Sequence, residues 1–388
     1  MRVAGIIVEF NPFHNGHSAH IRQTKEITGC QYVVAAMSGN FVQRGEPAIC
    51  DKWQRTKMAL HNGVDVVVEI PLPYVIAGAD YFARGSVGVM AATGVVDTLC
   101  FGSESGDLAA IQKAGEILAN EPEVYKTVLR HGLDQGLSFA AAKGKALAAC
   151  MPHAQEGLFA QANNGLAIEY CKALALLGSK MGVATTHRTE GGPSATKIRK
   201  VATGDGRIFD VPDNVGQMLA GIDKFATIDD FSDVFRYLIY SGGGAVGQMG
   251  EGLIHRFRRL CGDHTSISSL LEAVKTKRYT YTRLQRGVMC TILGVGADTM
   301  AMYDSHGGAQ YVRVLGFRKD AAHLVGDITR KATLPVITNG KMMDEILQGE
   351  GSGSMMLQQE FMAGDIYRLA IGAPGGYRGE RGEGVVVV

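Results

Sequence analysis

Short, continuously apolar runs separated by amphipathic stretches fill the first hundred residues. Val3, Ile6, Ile7 and Val8 form a β-branched run that predicts a buried strand, broken by Asn11-Pro12, with helical patterning from residue 18 to about 27. Residues 32–37 predict a second strand, 51–61 a helix with Asp51 at its start, and 64–70 a third strand stopped by Pro71 and Pro73. A helix over 81–92 and a fourth strand over 96–102 follow. Strands that are apolar throughout, rather than at alternate positions, are buried on both faces. The pattern therefore predicts an α/β fold, a parallel sheet wrapped by helices. Residues 106–150 read as a flanking helical layer, 163–177 as a further helix and 182–188 as a fifth strand. The composition shifts near residue 200, which divides the chain into domains 1–200 and 201–388. The second is mostly helical, with a small strand-helix-strand unit at 311–317, 321–329 and 334–337, and a glycine-rich tail after Gly372 that reads as loosely ordered.

A formal net charge of +1 over 388 residues excludes a uniformly basic nucleic-acid binder but allows a local basic patch. The seven cysteines (30, 50, 100, 150, 171, 261, 290) form no CxxC or Cys/His cluster. That spacing predicts reduced thiols in a cytoplasmic protein and no structural zinc or other metal site. Neither a signal peptide nor a run of membrane-spanning length is read, so a membrane association is not expected.

Chemistry concentrates where the first strand meets the first helix. His14 and His17 flank Gly16 three positions apart, on one face of a helix start whose backbone N–H groups are expected to be open. Such a place suits phosphate, and Gly16 lets it approach without a Cβ in the way. The polar loop Ser38-Gly39-Asn40-Phe41-Val42-Gln43-Arg44-Gly45-Glu46-Pro47 is too long for a minimal connection, so Ser38, Gly39, Asn40 and Arg44 are candidates for binding a carboxylate or phosphate. Trp53, on the following helix with Lys52 and Arg55, reads as a packing anchor. Ser194 and Thr196, crowded with Lys197 and Arg199 after a glycine pair, make a second anion site. Arg256, Arg258 and Arg259 form one basic cluster. Lys275, Lys277, Arg278 and Arg283, interleaved with Tyr279 and Tyr281, form another suited to RNA phosphates and unstacked bases.

In order, NPFHNGH, SGNFVQRGEPAICDKW, CFGSE, the pair Asn163-Asn164 and SATKIRK resemble the bacterial tRNA(Met) cytidine acetate ligase family of the HxGH nucleotidyltransferase superfamily. The resemblance is close over the first two hundred residues and looser through KTKRYTYTR and YVRVLGF. Two positions depart from the expected pattern, Ala195 in the middle of the later motif and Gly165 after the asparagine pair. The resemblance implies a Rossmann-like nucleotidyltransferase sheet. It also implies an ATP site drawn from Ile7, Val8, Glu9, Phe10, Asn11, Pro12, Phe13, His14, Asn15, Gly16, His17, Ser18, Ala19 and His20, joined by Gly102, Asn163, Asn164 and Arg188. His14 and His17 would steady the phosphates, with Lys197 and Arg199 as supporting cations. The implied reaction joins acetate to AMP from ATP, with Mg2+, and then acetylates N4 of the wobble cytidine in elongator tRNA(Met). DNA is not an expected partner. The rival is a nucleotidyltransferase that adenylylates or cytidylylates a small metabolite without RNA; a third reading is a non-catalytic RNA-binding protein.

Overall fold

The computed structural model describes residues 1–154, 157–187, 194–204, 206, 208–242, 249–250, 252–276, 279–372 and 379–388. In chain order, β1 (Val3–Val8), α1 (Asn15–Thr28) and β2 (Tyr32–Ser38) precede a small hairpin, β3 (Phe41–Val42) and β4 (Glu46–Pro47). Then come α2 (Lys52–His61), β5 (Val66–Ile70), α3 (Leu72–Val75), α4 (Ala79–Ala92) and β6 (Thr98–Ser103). The flanking helices are α5 (Leu108–Asn120), α6 (Glu123–Asp134), α7 (Phe139–Cys150) and α8 (Ala162–Leu176), followed by β7 (Gly182–His187) and α9 (Ala195–Ala202). Among the described residues the next stretch holds the α-helices α10 (Asp213–Ala220), α11 (Ser232–Ser241), α12 (Leu253–Leu260), α13 (Ile267–Val274), α14 (Tyr281–Ile292) and α15 (Ala297–Ser305). The strand-helix-strand unit is β8 (Val312–Phe317), α16 (Ala322–Lys331) and β9 (Val336–Ile337), and α17 (Gly340–Leu347), α18 (Ser352–Ile371) and β10 (Val386–Val387) complete the chain.

The main sheet runs β10-β8-β5-β2-β1-β6-β7, with β9 beside β8. Every pairing in it is parallel except β5 with β8, so the sheet is mixed and mostly parallel. Alternate residues of β2 feed two cores: Val34 and Ala36 face one helical layer, Val33, Ala35 and Met37 the other. Burial on both faces is why these strands read as unbroken apolar runs.

Three features differ from the sequence reading. The polar loop after β2 folds back as the β3–β4 hairpin. Strands from beyond residue 200 extend the same sheet as β1. The tail is also more ordered than expected, because Glu380 is buried and β10 pairs with β8; residues 373–378 lie outside the described set. Among the described residues, no helix is long and apolar enough to cross a membrane.

Strand order sets where ligands can enter. From β1 the chain builds outward through β2 and β5 on one side, then returns to lay β6 and β7 on the other. The carboxyl ends of β1 and β6 therefore flank a topological switch point, the usual mouth of an α/β sheet.

Candidate active site

β1 delivers Glu9 and Phe10 to this mouth. Phe10 takes φ +47°, an uncommon value for a bulky side chain, and the Asn11-Pro12 peptide is cis. Phe10 packs on Phe13 and His17, with ring centroids 4.8 and 4.9 Å apart. His14 then caps α1: its Nδ1 accepts the Gly16 N–H at 3.1 Å, while His17 Nδ1 accepts the His14 N–H at 3.1 Å. This is a capping box made from two imidazoles in place of the usual hydroxyl and carboxylate. The rings stack at 3.6 Å and 20°. With both Nδ1 atoms accepting, the neutral tautomer carries its proton on Nε2 in each ring. The pair thus supplies two Nε2–H donors at the positive end of α1.

The amides expected to be open at this turn are occupied. Gly16 N–H serves His14, and Asn15 N–H donates to the Asp210 carbonyl at 2.9 Å. The Gly16 amide is therefore not open to a phosphate, which would meet imidazole donors and the helix field here. Nearby, His20 Nδ1 lies 2.7 Å from Thr186 Oγ1, tying α1 to β7. The Ser18 hydroxyl is buried with no hydrogen-bond partner among the described residues.

The hairpin loop is clamped by Arg55. Its fully buried guanidinium donates to the carbonyls of Glu9 at 2.7 Å, Ser38 at 3.1 Å and Cys50 at 3.1 Å, and also to Gly39. One side chain therefore fixes the ends of β1 and β2 together. Asn40 is likewise structural, accepting the Lys52 N–H at 2.8 Å. Gly39 leaves room for carboxylates, since a Cβ there would stand 2.9 Å from both Glu69 and Glu360. Ser38 differs, because its hydroxyl is buried with no partner among the described residues. Arg44 is exposed at the hairpin tip. The Asn11 side chain accepts the Ile49 N–H at 2.7 Å, and Glu9 accepts the Gln43 N–H at 2.8 Å. Burial pushes the Glu9 carboxyl up, against the opposing effects of that N–H and of Arg199.

Beneath the loop lies an ion cluster that the sequence reading missed. Lys52 Nζ meets Glu69, Glu380 and, at 3.5 Å, Glu360, while Arg313 reaches Glu69 at 3.0 Å and Glu380 at 3.2 Å. Both cations stand 5.5 Å from the Trp53 ring centroid, so Trp53 is the packing anchor expected of it. Burial, then the neighbouring Glu69 carboxylate, push Glu360 up to about 8, so it is protonated at neutral pH. Two cations thus face three carboxyl groups, one of which is pushed toward its protonated form. The available sequence signal was Glu69, a carboxylate inside the otherwise apolar strand VVVEI.

On the β6 side, Glu104 binds the start of α8, accepting the backbone N–H groups of Asn163 at 3.0 Å and Asn164 at 2.8 Å. Burial raises its carboxyl, but these donors outweigh that and hold it below the ordinary range. Asn164 is fully buried, its Oδ1 accepting the N–H groups of Glu104 at 3.0 Å and Ser105 at 3.2 Å. Asn163 donates from its side chain to Glu104 at 2.7 Å. Gly102 faces Thr186, where a Cβ would make ordinary contact at 3.7 Å.

Across the mouth, Arg199 on α9 donates to the Asn11 carbonyl at 2.9 Å and stands 3.4 Å from Glu46. Ser194 begins α9 without a side-chain cap bond, Thr196 approaches Arg199 at 3.5 Å, and Lys197 is exposed. The structure thus brings Arg199 against the histidine loop; Arg188 lies outside the described residues. In the basic segment, Thr280 caps α14. Tyr279 is buried with Arg283 over its ring at 5.0 Å, so Tyr281, with Lys275 at 6.0 Å, is the half-exposed ring of the two. Lys277 and Arg278 lie outside the described residues.

The HIGH nucleotidyl transferase family model matches residues 1–379. A tRNA(Met) cytidine acetate ligase of Acetivibrio thermocellus is 36% identical over 96% of this chain and 96% of its own length. One from Clostridium perfringens is 36% identical over 87% of this chain and 89% of its own. The crystal structure of Thermotoga maritima TmcAL bound with alpha-thio ATP matches with a TM-score of 0.90 and 30% identity, covering 100% of this chain and 99% of that one. The apo form of the same protein matches with a TM-score of 0.91 at 28% identity, covering 100% of both chains.

Proposed function

The chain belongs to the HIGH nucleotidyl transferase family and, within it, to the tRNA(Met) cytidine acetate ligases, and from that membership we propose a two-step reaction. Acetate attacks the α-phosphorus of ATP, pyrophosphate leaves, and the acetyl group of the resulting adenylate passes to N4 of the wobble cytidine of elongator tRNA(Met). The observation that carries this reading is the stacked histidine pair capping α1 at the sheet's switch point.

In-line displacement at phosphorus needs positioning and neutralisation of charge more than covalent help. The Nε2–H groups of His14 and His17 would donate to phosphate oxygens as negative charge builds on the departing pyrophosphate. Arg199 holds the histidine loop through Asn11 and adds a cation beside it; Lys197 is assigned a supporting role and Arg188 a contact to ATP from the resemblance. The donors at the nest are N–H groups, which suit phosphate oxygens rather than a divalent cation. Magnesium would accordingly be held by the ATP phosphates and water, where it would offset charge on the polyphosphate.

Lys275, Lys277, Arg278, Tyr281 and Arg283 are assigned to the tRNA. An anticodon base is already single-stranded, so presenting it costs little unpairing energy. The test is acetate-dependent ATP–pyrophosphate exchange followed by acetyl transfer to elongator tRNA(Met). Exchange supported by another small acid or metabolite, and not by acetate, would overturn the assignment.

A further inference from the structure

Glu46 pairs with Arg199 beside the histidine loop and lies on β4, which packs against α14, the helix that Tyr281 begins. Its Oε2 lies 3.4 Å from Arg199, which in turn holds the Asn11 carbonyl at 2.9 Å, three residues before His14. On the other side is Tyr281, whose hydroxyl is raised first by burial and then by the carboxylates of Asp229, Glu272 and Glu46. Asp229 is committed to the start of α13, accepting the Ser268 N–H at 2.7 Å and its hydroxyl at 2.6 Å. Glu272 sits 3.5 Å from Lys275. Of the three, Glu46 is the one that also reaches the nucleotide side.

Its position is enforced by the preceding residue. Gly45 takes φ +76° and lets the hairpin approach α14 so closely that a Cβ would fall 2.6 Å from Arg286 Cα. That close approach sets Glu46 beside the first turns of α14.

We propose that Glu46 recognises the cytidine N4 amine and takes its proton during acetyl transfer. This rests on the ligase reading above. The exocyclic amine of cytosine is a hydrogen-bond donor, and a carboxylate is its natural acceptor. The half-exposed Tyr281 ring offers an unstacked base a π face beside it. In the step itself the N4 lone pair attacks the acetyl carbonyl carbon and a C–N bond forms. The bond from that carbon to the phosphate oxygen breaks, AMP leaves with the electron pair, and the N4 proton passes to the Glu46 carboxylate and then to water. The same carboxylate rejects uridine, whose O4 is an acceptor and would face it without a proton between them.

The experiment measures two half-reactions on the same preparations of the full chain. One is acetate-dependent ATP–pyrophosphate exchange; the other is single-turnover acetyl transfer from enzyme-held acetyl-adenylate to elongator tRNA(Met). In Glu46→Gln, transfer falls about a hundredfold more than exchange, the size of a lost general base. In Glu46→Asp, which keeps a carboxylate one methylene back, transfer falls about tenfold more than exchange. Equal losses in both half-reactions would mean that Glu46 acts only through Arg199 on ATP, and would overturn the proposal. So would transfer within threefold of wild type in the glutamine variant. Wild-type protein that shows no acetate-dependent exchange would instead overturn the ligase reading, a result separable from either of these.

Discussion

Replacing His14 by Asn separates two things that one imidazole does here. As the first residue before α1 it accepts the Gly16 N–H, and as half of a stacked pair it would, on the proposed reading, present Nε2–H to an anion. Asn is among the best N-caps, so His14→Asn should leave stability within about 0.5 kcal/mol of wild type, whereas His14→Ala should lose about 1 kcal/mol with the cap. Neither keeps the imidazole donor. A hydrogen bond to a charged group contributes roughly 1.5–3 kcal/mol, which converts to a loss of about 10- to 150-fold. A donor aimed at charge that develops only in the transition state is worth about 100- to 1,000-fold. Both variants should therefore lose acetate-dependent ATP–pyrophosphate exchange by roughly two orders of magnitude, while urea denaturation tells them apart. If His14→Asn exchanged at close to the wild-type rate, the imidazole would be no more than a cap and the phosphate assignment would fail.

The remaining expectations each bear on a different part of the molecule. Arg199→Ala should raise the KM for ATP or lower kcat, since it removes both the Asn11 anchor and a cation; unchanged values of both would remove it from the site. Neutralising Lys277, Arg278 and Arg283 should weaken tRNA binding and flatten its salt dependence by roughly 0.7 in log–log slope per lost phosphate contact, and unaltered affinity would show that the segment has been misassigned. Lys52→Met should cost about 3–5 kcal/mol by urea denaturation, because it leaves buried carboxylates short of a counter-ion; a loss under about 1 kcal/mol would contradict the buried-cluster account. Glu360 has a linked consequence. Folded, it holds its proton up to about 8, against 4.5 for an ordinary glutamate, so the unfolded chain releases that proton first as pH rises. Stability should decline between about pH 5 and 8, and Glu360→Gln should flatten that decline when melting is followed across the range.

The αβ alternation was readable because its strands are buried on both faces, and the histidine pair because its spacing and place on the first strand are local. What stayed hidden is long-range. Arg55 was placed only on the helix after the loop, and nothing near it in sequence says that carbonyls from Glu9, Ser38 and Gly39 would gather around it. The Lys52–Arg313 cluster draws partners from residues 69, 360 and 380, separations that no periodicity reports. Residues 379–388 of the tail were misread for the same reason: composition predicts loose order, while a buried Glu380 and a two-residue strand decide otherwise. The open amides expected at Gly16 were lost to a capping arrangement that imidazoles seldom make.

Because β8 and β10 complete the sheet and Glu380 neutralises Lys52, the first two hundred residues depend on sequence that is synthesised long after them. A ribosome that has released β1 to β7 holds a sheet with a naked edge at β5 and a buried lysine short of a counter-charge. The β5 edge is covered only when residues 312–317 have been made and Lys52 gains Glu380 only with the last residues, so a polypeptide cut before β8 is expected to aggregate.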